Sequence, residues 1–152
     1  MDRIIIGSDH AGFLLKEAVR NSLEKKGYKV SDMGPSSDEA VDYPDFGCRV
    51  AEKVSAGEFS RGVLVCGSGV GMAIVANKFP RVRAVLSMDE ETARMSRLHN
   101  DTNILVLAGR RTDERTAERI VDIWLKTAFE GGRHQQRLDK IYDLEKRLCS
   151  QS

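Results

Sequence analysis

The alternation of short apolar runs with longer helical segments constrains this sequence more than any other feature. Each apolar run is rich in β-branched or aliphatic residues, and the stretch after it has apolar residues at helical spacing. The predicted strands are Arg3–Ser8, Tyr28–Met33, Arg61–Cys66, Val82–Ser87 and Asn103–Ala108. Parallel strands need crossover connections, so the alternation predicts an α/β, three-layer Rossmann-like fold. Its parallel sheet of about five strands has helices on both faces.

The predicted helices follow the strands in turn and leave no linker long enough to divide the chain. They cover residues 12–26, 44–55, 70–78, 89–99 and 113–129, and an extra C-terminal helical tail covers about 133–149. Gly27 ends the first helix, Pro44 suits the first position of the second, and the acidic residues from Asp89 suit a helix start. We therefore expect residues 1–152 to form a single domain.

Charge and cysteine usage exclude several classes of protein. The chain has 24 Lys and Arg against 23 Asp and Glu, a net charge of +1, which gives no long-range attraction to nucleic acid or an anionic membrane. No apolar run approaches the roughly 18 residues of a membrane span, and the N-terminal run is too short for a secretory signal. The irregular spacing of Cys48, Cys66 and Cys149 indicates neither a disulfide framework nor a metal site. We expect a cytoplasmic protein.

Open parallel sheets bind ligands beyond the carboxyl ends of their strands. We therefore expect a binding site in the polar segments that follow the predicted strands and helices. Ser8-Asp9-His10 ends the first strand. Asp9 has two interpretations, since Ser and Asp before a helix commonly cap it. His10 is not a preferred cap residue, and an imidazole there suits contact with an anion or a hydroxyl.

The third strand runs into Cys66-Gly67-Ser68-Gly69-Val70-Gly71, which opens a helix. The glycines let backbone N–H groups converge, and the helix dipole adds positive potential, so the loop suits a phosphate or a negative charge formed during reaction. Met72 breaks the G-x-G-x-x-G dinucleotide pattern, and the lysine of a P-loop is missing. Cys66 stands beside this helix start, which favours the thiolate, the form that acts as a nucleophile or base.

Three more polar segments complete the set that we expect at this edge of the sheet. His99, with Asn100 after it, lies at a helix end that favours an imidazolium, so it suits a proton donor; a polar turn is the alternative. Arg110 follows the fifth strand. Arg133 and Arg137 share one helical face and suit a single phosphate, the alternative being a solvated basic face.

Together these motifs resemble ribose-5-phosphate isomerase type B. The matching segments, in the same order and across essentially the whole chain, are Gly7–Gly12, Asp42–Asp45, Cys66–Gly71, Ala76–Lys78, Ser96–Asn103 and Glu130–Arg137. The resemblance implies an aldose-ketose isomerase of the pentose phosphate pathway, which interconverts D-ribose 5-phosphate and D-ribulose 5-phosphate. It implies no metal and no organic cofactor, and a homodimer whose active sites draw on both chains.

The resemblance also implies a role for each residue. Cys66 is the base that moves a proton between C2 and C1 through an enediolate, and His99 assists opening of the sugar ring. The oxyanion is held by the backbone of Gly67, Ser68, Gly69, Val70 and Gly71. The remaining contacts are Asp9 and Asn100 to sugar hydroxyls, Ser68 and Tyr43 near the ring, and His10, Arg110, Arg133 and Arg137 to the phosphate.

Other functions remain open at this stage. Galactose 6-phosphate isomerase subunits share much of this pattern and some family members accept allose 6-phosphate, so a hexose 6-phosphate is the alternative substrate. A pentose phosphate is favoured because the complete catalytic set lies in one chain. A non-catalytic phosphate-binding module explains the glycine loop but gives Cys66 and His99 no role. The apolar stripe of the C-terminal tail, from Leu138 to Leu148, suits packing on its own domain or on a second copy.

Overall fold

The computed structural model describes residues 2–151, in which five strands alternate with helices and a sixth helix ends the chain. The strands are β1 (Arg3–Ser8), β2 (Lys29–Asp32), β3 (Arg61–Cys66), β4 (Ala84–Leu86) and β5 (Ile104–Ala108). The helices are α1 (Phe13–Lys25), α2 (Tyr43–Ser55), α3 (Val70–Ala76), α4 (Glu90–Asn100), α5 (Glu114–Lys126) and α6 (Arg133–Cys149). Within residues 2–151, no helix is long and apolar enough to span a membrane.

All five strands pair in parallel, in the order β2-β1-β3-β5-β4. This confirms the predicted α/β fold and adds the strand order, which the sequence pattern does not contain. The chain leaves β1 in one direction to form β2 and returns on the other side to form β3. The order therefore reverses between β1 and β3, and the carboxyl ends of these two strands flank the crevice where such sheets bind ligands.

The core lies in two layers, one on each face of the sheet. Ile4 and Ile6 of β1 point to the face covered by α1, α4 and α5, where Trp124 is fully buried. Ile5 points to the opposite face, which α2 and α3 cover. Strands buried on both faces need continuous apolar runs, which is why β1, β3 and β5 are so apolar.

Several element ends differ from the predictions because side chains take the backbone bonds there. Asp89 and Asp113 lie just outside α4 and α5 as N-caps, and hydrogen bonds from Thr92 and Thr116 lower the pKa of their carboxyl groups. Strand β4 has only three residues rather than the six predicted. At its start the N–H of Arg83 donates to the side chain of Asn103.

Candidate active site

The loops after β1, β3 and β5 lie side by side at the carboxyl edge of the sheet. The N–H of Asp9 donates to Val65 O at 3.1 Å, and the N–H of Gly109 donates to Cys66 O at 2.7 Å. The N–H of Arg110 then donates to Gly67 O at 3.0 Å. These bonds extend the sheet beyond its strands and hold the three loops in a fixed arrangement.

The glycine loop places a backbone donor on the thiol of Cys66. The N–H of Gly69 donates to Cys66 Sγ at 3.1 Å. Gly69 has a left-handed φ of 78° and is the N-cap of α3, and a Cβ there would overlap the side chain of Leu86. Glycine is required at this position for both its conformation and its close approach. The thiol is therefore held against a backbone amide at the start of α3.

The mouth of the glycine loop is formed by a few exposed groups. Cys66 itself is only 4% exposed, whereas Ser68 and Val70 are exposed. The ring of Tyr43, at the start of α2, lies directly on the loop, since a Cβ at Gly71 would be 2.6 Å from it. The Tyr43 ring therefore covers the Gly71 side of the loop, whereas Ser68 is exposed to solvent.

Asp9 and His10 flank this loop from the segment that follows β1. Asp9 Oδ1 accepts the N–H of Gly12 at 2.9 Å, so the helix-capping interpretation holds for this oxygen. His10 Nδ1 lies 3.1 Å from both the backbone N and O of Val41. If Nδ1 carries the proton it donates to Val41 O, and if it does not it accepts the N–H of Val41. Either bond fixes the ring and leaves Nε2 as the nitrogen that can contact a ligand.

Arg110 covers the other side of the loop. A Cβ on Gly67 would lie 3.3 Å from Arg110 Nη1 and 3.4 Å from its Cδ, so the guanidinium stands over this glycine. Arg110 is exposed, and within residues 2–151 no carboxylate pairs with it. The charge is thus available to an anion beside the loop.

His99 does not join this group within one chain. Helix α4 follows β4 at the carboxyl edge and runs back, so its last turn, with His99 and Asn100, lies at the amino edge where β5 begins. A strand of the length of β3 spans roughly 15–20 Å. The expectation that His99, Asn100, Arg133 and Arg137 gather with Cys66 at one sheet edge is therefore wrong for a single chain.

The start of α6 joins His99 at this opposite edge. The N–H of Glu130 donates to Leu98 O at 3.1 Å, which docks the connection before α6 on the end of α4. Asn100, Arg133 and Arg137 are exposed here. The two arginines flank His134 closely enough that both help to lower the pKa of its imidazole. The amino edge thus carries a second group of the predicted residues.

His134 is a residue of this group that the sequence analysis missed. It is 4% exposed, and its ring stacks on that of His99 with centroids 4.2 Å apart and planes inclined by 15°. Glu130 Oε2 lies 4.0 Å from His99 Nε2 and 3.9 Å from His134 Nε2. Burial is the main cause that lowers the pKa of His134, followed by the charges of His99 and Arg133, whereas Glu130 opposes them. The only sequence signal was a histidine placed between two candidate arginines.

The same three side chains present possible metal-ligand atoms within 4.8 Å of one another. The lone pair of an imidazole nitrogen lies in the plane of its ring. Two nearly parallel rings direct their lone pairs side by side rather than to a common point, and a zinc ion needs Zn–N bonds of about 2.0–2.1 Å. The arrangement fits a stacked pair with a neighbouring carboxylate better than a metal centre.

Comparison with known proteins agrees with the observed fold. An open parallel sheet whose strand order reverses between β1 and β3 is the architecture of α/β proteins that bind small ligands at the switch point. Within this class, the model of the Ribose/Galactose Isomerase family matches residues 4–141. The chain belongs to the Ribose/Galactose Isomerase family, which confirms the resemblance drawn from its motifs.

Individual relatives match over nearly their whole length. Ribose-5-phosphate isomerase B of Escherichia coli (strain K12) is 45% identical over 147 residues, covering 97% of this chain and 99% of that protein. The structure of ribose-5-phosphate isomerase B from Clostridium thermocellum has a TM-score of 0.94 and 50% identity, covering 96% of this chain and 99% of that one. The Mycoplasma genitalium enzyme with bound ribulose-5-phosphate has a TM-score of 0.91 and 44% identity, covering 95% and 96%.

Proposed function

We propose that this protein interconverts D-ribose 5-phosphate and D-ribulose 5-phosphate as an aldose-ketose isomerase of the non-oxidative pentose phosphate pathway. Membership of the Ribose/Galactose Isomerase family supports an isomerase, and a relative of 44% identity binds ribulose-5-phosphate. The observation that carries the proposal is the hydrogen bond from Gly69 N–H to Cys66 Sγ at the switch point of the sheet. It pairs a thiol with the amide-lined loop that an enediolate needs.

The proposed chemistry follows from this pairing. In the open-chain aldose the thiolate of Cys66 removes the proton on C2, the electron pair forms a C1=C2 bond, and the negative charge moves to O1. Backbone donors of residues 67–71 stabilise that charge where it develops. Transfer of a proton from O2 to O1 and return of the first proton to C1 give the ketose. The sum is a rearrangement that needs no cofactor.

We further propose that two chains build each active site, as a homodimer. Within one chain, the thiol and His99 belong to opposite edges of the sheet. A second copy that sets its amino edge against the carboxyl edge of the first would bring them together, twice per dimer by symmetry. Exposed apolar side chains supply a surface for such contact: Val70 and Ile74 on α3, and Ile141, Leu144 and Leu148 on α6.

This arrangement divides the substrate contacts between the protomers. One protomer supplies Asp9 to a sugar hydroxyl, Tyr43 and Ser68 near the ring, and His10 and Arg110 to the phosphate. Its partner supplies His99, Asn100, Arg133 and Arg137. The phosphate would then be bound by groups of both chains, and its binding energy would hold the reacting carbons at the thiol.

The direct test is turnover of a panel of sugar phosphates by the purified protein. We expect isomerisation of ribose 5-phosphate and ribulose 5-phosphate, with lower kcat/KM for allose 6-phosphate and galactose 6-phosphate. Faster turnover of a hexose phosphate would move the assignment to the hexose alternative. Binding of all four sugars without any turnover would instead indicate a non-catalytic module.

A further inference from the structure

His134 is a buried polar side chain to which the proposed mechanism gives no role. Its Nε2 is buried, and within residues 2–151 it has no hydrogen-bond partner. Its ring covers one face of the His99 ring at a centroid distance of 4.2 Å. Leaving a buried polar atom without a partner is costly, so a histidine here needs a reason other than stability.

The charges around the pair explain how the two rings coexist. His99 faces His134 from α4, Glu130 from the connection before α6, and Arg133 and Arg137 from α6. Two imidazolium rings in contact would repel each other strongly. Burial and three of these neighbours (His99, Arg133 and Arg137) hold the pKa of His134 below its ordinary value, which favours the neutral form of its ring. Glu130 is the carboxylate nearest to both Nε2 atoms.

We infer that His134 and Glu130 are positioning residues for the ring-opening step. The ring of His134 fixes the plane of the His99 ring by stacking, and Glu130 Oε2, 4.0 Å from His99 Nε2, places a carboxylate beside that nitrogen. This inference rests on the proposed function, in which His99 acts on the sugar ring. It adds that the acid is held by a stacked partner and a counter-ion from the segment that opens α6.

The ring-opening step has a defined proton balance. The C1–O4 bond of the furanose breaks, His99 protonates O4, and the O1 hydroxyl releases its proton to solvent as the C1=O1 bond forms. Solvent then reprotonates His99. A loose or rotated imidazole would deliver its proton poorly, because proton transfer requires hydrogen-bond distance to O4.

Ribulose 5-phosphate allows this step to be separated from the proton transfer at carbon. Its O5 carries the phosphate, so the ketose cannot close a furanose ring and reaches Cys66 as an open chain. Exchange of its C1 hydrogen with D2O therefore requires Cys66 but no ring opening. Isomerisation of ribose 5-phosphate, which is mostly furanose, requires both.

The experiment compares these two rates in His134→Ala, His134→Phe and Glu130→Gln, with Gln135→Ala as the matched control on α6. Gln135 is exposed, and its side-chain amide donates to Asp139 on its own helix. We expect His134→Ala and Glu130→Gln to slow ribose 5-phosphate isomerisation by roughly 10- to 100-fold, a share of what a general acid contributes. In both variants, the exchange of the C1 hydrogen of ribulose 5-phosphate with D2O should stay near the wild-type rate. His134→Phe, which restores a stacking ring, should recover much of the loss, and the control should change neither rate.

Each other outcome is decisive. If exchange and isomerisation fall equally, or if neither falls, the positioning role is wrong. If His134→Ala does not fold, the comparison of His134→Phe with Glu130→Gln still decides, because only the second should slow isomerisation strongly. If the wild-type protein catalyses neither reaction, the proposed function fails instead, which is a separate result.

Discussion

The two edges of the sheet carry two different kinds of half-site. At the carboxyl edge the chemistry depends on backbone: the amide of Gly69 meets a thiol that is almost fully buried, and sheet-like hydrogen bonds fix the neighbouring loops. At the amino edge the proposed chemistry depends on side chains at helix ends, namely a stacked histidine pair and exposed arginines. In the proposed function the first half-site stabilises a charge as it forms, and the second binds the phosphate and donates a proton, so neither is complete alone.

The largest effect is expected from the thiol of the first half-site. Cys66→Ala should lower kcat for isomerisation by about 10²- to 10⁴-fold or more, because it removes the only proposed base at carbon. KM should change little. Cys48→Ala is the matched control, since Cys48 is a half-buried cysteine on α2, outside the loop. Steady-state kinetics measure kcat and KM in both variants. Near-normal turnover by Cys66→Ala would show that the thiol does not take part in the reaction.

The backbone of the same half-site gives the next effect. Gly69→Ala forces a side chain into left-handed backbone, at about 1–3 kcal/mol, and against Leu86. Gly57→Ala has a similar φ of 79° with open space around it, so it carries the strain without the clash. We expect kcat to fall at least tenfold in Gly69→Ala and to be unchanged in Gly57→Ala. Equal kinetics in the two variants would show that the loop does not act as an oxyanion cradle.

The arginines of the second half-site should act on binding. Arg137→Ala should raise KM for ribose 5-phosphate roughly tenfold with a smaller change in kcat, since a charge-assisted hydrogen bond contributes about 1.5–3 kcal/mol. Arg147→Ala, an exposed arginine near the end of the same helix, is the control. A KM that is unchanged in Arg137→Ala would assign this residue to the solvated face of α6.

The smallest effect concerns acid stability at the second half-site. The pKa of His134 is lowered in the folded chain from its ordinary value of 6.5, mainly by burial. As pH falls below about 7, the unfolded chain therefore binds more protons at this residue than the folded chain, and the free energy of unfolding decreases. His134→Phe removes this proton uptake. Between about pH 7.5 and 5.5 the Tm of the wild type should fall further than that of the variant; parallel curves would contradict a depressed pKa.

The sequence predicted the first half-site better than the second. The bounds of β1, β3 and α6 agree with the prediction, because a continuous apolar run or a charged helical stripe is a local signal. The loop after β3 is local as well. Helix α3 was predicted to reach residue 78, but it ends at Ala76, because helix ends depend on neighbours.

The second half-site depends on topology and packing. A helix that follows a parallel strand must return to the amino edge, so the position of His99 was implicit in the strand-helix alternation, although the motifs alone suggested one common edge. The stack of His99 on His134 was not predictable. It requires the connection before α6 to dock on the end of α4, a contact between segments about 30 residues apart that no periodicity encodes.

Each working site is proposed to combine the thiol of one chain with the imidazole of another, and a mixed dimer tests this directly. Cys66→Ala and His99→Ala copies, carrying different tags, are co-expressed and the mixed dimers are isolated. If the sites are shared, one of the two sites in each mixed dimer has both groups intact, so about half of the wild-type activity returns. If each chain carries its own site, every site lacks one group, and the mixed dimer stays as inactive as its parents.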